Sequence, residues 1–348
     1  MFCNPDDDKN NLECKEKLFS EIVSLISLLF SLFVIFISLK KVRMNITNKL
    51  ILQIIISEVL DGINIILAIV FDAFGGYTFE NYPDRMGICL TQIYLGVFSC
   101  LWNLFSSLFI SLRIYDRMEN KNKIFQNKFM YEYTTTMSYG IPCIISYILW
   151  TSQVITQSNT LKHKTYENFY PQDNQGTKSD YFRYMYCWVS GWNNNILFGI
   201  CILLICANFY FSIIKSVVFI KKVSNEIEEK EDNGRKSIQN KMKKIKQMMW
   251  SLILYPVVSG TLWLIYFVLQ ILAGMATSSN SSKEKKESLS FMKNNWGSWI
   301  LISVISFRQF IFTFLFFWTQ GSLKKYAYNF ITCKKSKKQN ISERRLNE

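Results

Sequence analysis

The sequence predicts an all-α membrane protein: a seven-transmembrane helix bundle with a short amphipathic helix after the seventh span. Three observations carry this. Hydrophobic residues make up 49% of the 348 and charged residues only 19%, below the roughly 25% of an ordinary soluble chain. The apolar residues are gathered into runs rather than spread at a helical or strand period. The positive charge lies between those runs and favours one side of them. This composition excludes a disordered chain, a collagen, a small disulfide scaffold and most soluble enzymes. Five prolines and 14 glycines leave little room for a loop-rich all-β fold. The net charge of +14 follows from connecting loops, so no nucleic-acid partner is expected; the lipid bilayer is.

A bilayer core asks for about 20 mostly apolar residues per helix. Seven runs meet that need. They are Leu18 to Leu39, Leu50 to Phe71, Ile88 to Leu112, Thr134 to Val154, Asn193 to Ile220, Met248 to Ala273 and Trp296 to Trp318. The fourth is the most dilute, with Ser, Thr, Gly140 and Pro142, and the sixth holds Pro256. Such prolines are tolerated where neighbouring helices satisfy the freed carbonyls. Four domains follow: a short extracellular N-terminus over 1–17, the seven-helix domain over 18–320, an amphipathic surface helix over 321–333 and a basic cytosolic tail over 334–348. If the first 17 residues lie outside, the inner segments hold 27 of the 40 Lys and Arg and the outer ones 12, with Arg308 completing the count. The positive-inside rule then places the N-terminus outside and the C-terminus in the cytosol. The membrane expected is the plasma membrane or a ciliary one. The acidic start, Asp6-Asp7-Asp8, does not read as a cleavable signal.

Of the nine cysteines, Cys89 at the upper edge of the third span and Cys187 in the second outer loop face the oxidising side, where a bridge between them is allowed. The alternative is two free thiols. Cys3 and Cys14 are a second candidate pair, while Cys100, Cys143, Cys201 and Cys206 read as small packing residues within spans. His163, the one histidine, reads as a solvated loop residue and makes no zinc site with distant cysteines. No metal and no cofactor is expected.

Ionisable groups at membrane depth are costly and mark function. Glu58 and Asp61 stand three apart, on one face of the second helix. Asp61 lies about 18 Å from the inner end of its run, and Arg308 about 16 Å from the outer end of the seventh, by the rise of 1.5 Å per residue. Equal depth predicts that Arg308 meets Asp61 or, failing that, Glu58. One reading is a structural or switching ion pair between helices. The other is an Arg that faces a cavity and binds an anionic ligand group. Trp188 and Trp192 flank the second outer loop and are candidates for the mouth of a ligand pocket; other tryptophans, Trp263 among them, read as interface anchors or packing.

On the inner side, Ile238, Met242, Ile245 and Met249 repeat at helical spacing, with Lys241, Lys243, Lys244 and Lys246 on the remaining surface. The face suits either anionic lipid or a partner protein. After Gly321, the pattern of Leu323, Tyr326, Ala327, Phe330 and Ile331 among lysines predicts a helix lying along the inner leaflet. Cys333 at its end is a candidate for lipidation. Of the Asn-x-Ser/Thr triplets at Asn45, Asn280 and Asn340, only Asn280 lies outside, as a candidate glycan site.

Three local patterns point to a family. They are Asn48-Lys49-Leu50-Ile51-Leu52-Gln53-Ile54 continuing to Ser57-Glu58-Val59-Leu60, the Cys187-Trp188-Val189 triplet, and Tyr255-Pro256. With seven runs, the outer cysteines and the basic amphipathic end, the chain resembles the G protein-coupled receptors, and among them the cyclic AMP receptor-like group of protists that lies near the secretin and adhesion receptors. The resemblance covers residues 18 to 332. It implies an unknown extracellular ligand, a heterotrimeric G protein as partner, and no enzyme activity. The docking residues would be Arg113, Arg117, Lys241, Lys243, Lys244 and Lys246. There are departures. Leu112 precedes Arg113 where rhodopsin-like receptors carry an acid, Tyr115-Asp116-Arg117 comes a turn later, and the Asn-Pro of a rhodopsin-like seventh helix is missing. The seventh run has no lysine, so an opsin-type chromophore linkage is excluded. The rival expectation is a seven-helix transporter or channel using Glu58, Asp61 and Arg308 as a polar pathway; the absence of an internal repeat weighs against it.

Overall fold

The computed structural model describes residues 8–41, 46–73, 82–118, 128–162, 191–214, 253–268 and 296–319, with single positions at 218, 221, 225 and 328. All of these segments are helical, and no strand occurs among the described residues. They are α1 (Asp8–Lys41), α2 (Ile46–Ala73), α3 (Tyr82–Met118), α4 (Lys128–Lys162), α5 (Gly191–Phe209), α6 (Ile253–Val268) and α7 (Trp296–Thr319). Among the described residues, four helical stretches are long and apolar enough to cross a bilayer: Ile22–Lys40, Ile46–Leu67, Leu90–Tyr115 and Asn195–Ile214. These several apolar helices mark a multi-pass membrane protein.

The burial pattern carries the same message. Along α1, Ile22, Leu25, Ile26, Leu29, Leu32, Phe36 and Leu39 are exposed, whereas Ser24, Ser27, Ser31 and Ser38 are buried. In water this arrangement would be inside out. Against lipid it is the stable one, because hydrocarbon accepts the apolar face and the hydroxyls of Ser27, Ser31 and Ser38 find acceptors inside. Ser27, Ser31 and Ser38 donate to the carbonyls four residues back, at 2.7, 2.8 and 2.6 Å. Ser31 also meets Thr313 of α7 at 2.6 Å, which ties α1 to α7.

α3 is the central helix and packs on α2, α4 and α5; α1 packs on both α2 and α7, and α7 also touches α2. Two apolar cores result. Take the end of the bundle where α1 begins as the upper end. The upper core joins Ile93, Val97 and Leu101 of α3 to Leu197 and Leu204 of α5 and to Trp263 and Phe267 of α6. The lower core joins Ile37 of α1, Ile51 and Ile55 of α2, Ile110 of α3, Tyr255 of α6 and Phe312 and Phe316 of α7. Pro142 sits within α4 without ending it.

Within the fifth apolar run, α5 ends at Phe209 and passes directly into a π turn over Tyr210–Ile214; residues 215–217, 219 and 220 of the run lie outside the described residues. Asn208 donates to the carbonyl of Leu104 at 3.3 Å and accepts from Ser111 at 3.1 Å, while Ser111 also meets Ser212 at 2.7 Å. Asn208 and Ser212, four apart, thus both face α3 on either side of the transition.

Candidate functional site

Between the two apolar cores lies a polar layer built from four helices. Its centre is Arg308 of α7, fully buried. Its Nε donates to Glu58 Oε2 at 2.8 Å, and its terminal amino group donates to Asp61 Oδ2. The three-residue spacing of the two acids sets them one turn apart on one face of α2, and the planar guanidinium fork serves both at once. The sequence reading chose between these acids; the structure joins both.

The remaining oxygens are served from α3. Asn103 Nδ2 donates to Glu58 Oε1 at 2.7 Å, and Ser259 of α6 donates to Asn103 Oδ1 at 2.6 Å. Ser99 reaches Asp61 Oδ1 at 3.4 Å while also bonding the carbonyl of Gly96 at 3.1 Å, so α3 holds Asp61 more loosely than it holds Glu58. Trp263 lies one turn above Ser259 on α6 and covers the guanidinium, with 3.9 Å between the Arg308 guanidinium carbon and the ring centroid. The result is one connected unit: α6 touches α3 through Ser259, α3 touches α2 through Asn103, and α7 touches α2 and α6 through Arg308. Two acids and one base leave the unit one negative charge over if both acids are ionised.

Close approach of α2 and α7 at this level needs Gly62. A Cβ built there would stand 2.6 Å from Gln309 Oε1, beside Arg308. Gly62→Ala therefore has to push the Gln309 carboxamide aside. The expected cost is about 1 kcal/mol, at the low end for overpacking because a flexible side chain can yield. The check is the thermal midpoint of the solubilised protein, which falls in Gly62→Ala and recovers in part when Gln309 is also changed to Ala.

The structure treats the other predicted residues unevenly. Arg113, predicted at the docking face, is buried at 8% exposure near the lower end of α3, not displayed. The reason is the central place of α3, flanked by α2, α4 and α5. Arg117 and Cys89 fall within α3 and Trp192 within α5, but their side chains lie outside the described residues. So do Cys187, Trp188, Lys241, Lys243, Lys244, Lys246, Asn280 and Cys333. Among the described residues no disulfide occurs, and Cys100, Cys143, Cys201 and Cys206 are free thiols.

Sequence reasoning missed Asn103, Ser99 and Ser259, and it left Trp263 among the packing residues. One signal was present. Asn103 is a carboxamide in the middle of an uncharged run, and such a group needs a partner at that depth. Compared with known proteins, the chain matches no family model and no curated relative.

Proposed function

We propose that the protein is a seven-helix membrane receptor that binds an extracellular ligand and activates a heterotrimeric G protein through its basic inner loops. The observation that carries the reading is the polar unit itself. Arg308 holds both acids of α2 and lies under Trp263 of α6, so α2, α6 and α7 cannot separate without breaking it. A contact shared by several helices is a two-state element, and a ligand shifts it by binding one packing better than the other. The excess of Lys and Arg on one side supports an outer N-terminus and a cytosolic C-terminus. Pro256 lies one residue after Tyr255, near the lower end of α6, where a pivot would move the lower end of that helix.

A second contact supports the same reading. The Tyr255 hydroxyl meets Thr319 Oγ1 at 2.6 Å and pins the lower end of α6 to α7. Tyr255→Phe removes that bond and little else. We expect basal signalling to rise about fivefold, the factor that corresponds to losing about 1 kcal/mol from the closed packing alone. Basal nucleotide exchange in membranes reads the effect directly.

The main test is nucleotide exchange on Gα subunits in membranes holding the protein, at rest and under a panel of extracellular ligands that includes cyclic AMP. Neutralising Lys241, Lys243, Lys244 and Lys246 should lower it. Absence of exchange over several Gα subunits, with the protein at the surface, counts against the receptor. The polar unit supports a second reading, a transporter that moves charge past Glu58, Asp61 and Arg308. Substrate flux into vesicles, lost in Asp61→Asn, would favour that reading.

A further inference from the structure

Cys100 of α3 and Cys201 of α5 bring their sulfur atoms to 3.8 Å inside the upper core. Both are fully buried and both are free thiols. Two packed thiols can be no more than small apolar residues. Two features go further. The cysteines are 101 residues apart and sit on different helices, so chain proximity does not explain the approach. Their place also matters. Cys100 follows Ser99, which holds Asp61, and stands one turn before Asn103, which holds Glu58.

We propose that Cys100 and Cys201 form a modification site, a buried dithiol that hydrogen peroxide converts to a disulfide joining α3 to α5. A small uncharged oxidant fits a site reached only by local opening of the bundle. In the first step one sulfur attacks a peroxide oxygen and the O–O bond breaks. A sulfenic acid forms whose oxygen keeps its own hydrogen, and the departing hydroxide, which carries the other peroxide hydrogen, takes up the thiol proton and leaves as water. In the second step the other sulfur displaces that oxygen, the S–S bond forms, the S–O bond breaks, and a second water leaves. Two thiols and one peroxide thus give one disulfide and two waters, and the two sulfurs together supply the two electrons. Closing to a bond of about 2.05 Å asks for about 1.8 Å of sulfur movement, within reach of side-chain rotation and a small shift of either helix. The bond would fix the segment of α3 that holds both acids of the polar unit.

The test exposes the protein in lipid vesicles to hydrogen peroxide. Remaining thiols are then alkylated after denaturation, and unreduced peptides are read by mass spectrometry. Cys206, an exposed free thiol, reports the dose. At a dose that consumes Cys206, we expect a linked Cys100–Cys201 peptide in most molecules, reversed by dithiothreitol and absent from Cys100→Ala and Cys201→Ala. Two separately alkylated peptides at that dose overturn the proposal, and so does a link from either cysteine to Cys143 or Cys206. The wild-type chain alone decides this, whether or not the variants fold. A regulatory consequence rests on the receptor reading: oxidation should lower basal nucleotide exchange about fivefold, and Cys201→Ala should remove that sensitivity. A linked peptide with unchanged exchange would overturn the regulatory consequence while the modification site stands.

Discussion

Arg308→Gln is expected to destabilise the protein by about 3–5 kcal/mol, the loss seen when one partner of a buried ion pair is removed. Glu58 and Asp61 would then face each other across one turn of α2 with no counter-charge, and hydrogen bonds from Asn103 and Ser99 would be all that remained. The expected signs are a sharply lower thermal midpoint and loss of surface protein. The informative comparison is the triple change Arg308→Gln, Glu58→Gln and Asp61→Asn. It keeps amide groups able to donate and accept at each position and removes every buried charge. The same physics predicts that the triple variant recovers most of the lost stability, because the penalty lies in the stranded charge and not in the missing contact. Should the triple variant prove no better than the single one, charge pairing is not what holds α2 to α7.

Trp263→Ala has the second largest expected effect, again about 3–5 kcal/mol, the range for removing a large aromatic side chain from a core. Two losses combine. The ring fills the upper core, where it stacks on Phe267 and meets Tyr266 edge-on. It also shields the Arg308 guanidinium and attracts it through the ring face, a contribution of about 0.5–2 kcal/mol. Trp263→Phe separates the two. Phenylalanine retains a ring for the cation while leaving some space empty, so the loss should be less than half that of alanine. A Trp263→Leu variant as stable as Trp263→Phe would show that the ring serves packing alone. Thermal midpoints of the three variants in one detergent are sufficient.

How much of this was legible beforehand follows from which forces act locally. Helices stand at all seven places where apolar runs lie, because a run of that kind buried or in lipid must satisfy its own backbone hydrogen bonds. The acids at Glu58 and Asp61 and the base at Arg308 stood out because charge is rare at that depth. Their joint pairing did not, since equal depth does not tell how α2 is turned about its axis. Asn103, Ser99 and Ser259 were hard to pick because Ser is common on the inward faces of these helices. Ser24, Ser106 and Ser107, for example, are equally buried, and their hydroxyls have no hydrogen-bond partner among the described residues. The burial of Arg113 depended on α3 being central, which no local pattern signals.

The sequence by itself determined the all-helical, multi-pass membrane class, the positions of the described helices and the identity of the charged residues within them. Those properties arise from composition over stretches of about 20 residues, against a solvent that rewards apolar length. Only the tertiary structure decided that one arginine serves two acids, that Trp263 covers it, that α5 widens into a π turn and that Cys100 meets Cys201. Each of these depends on the rotation and depth of one helix relative to another. Those are set by the simultaneous fit of many side chains, and no single segment contains them.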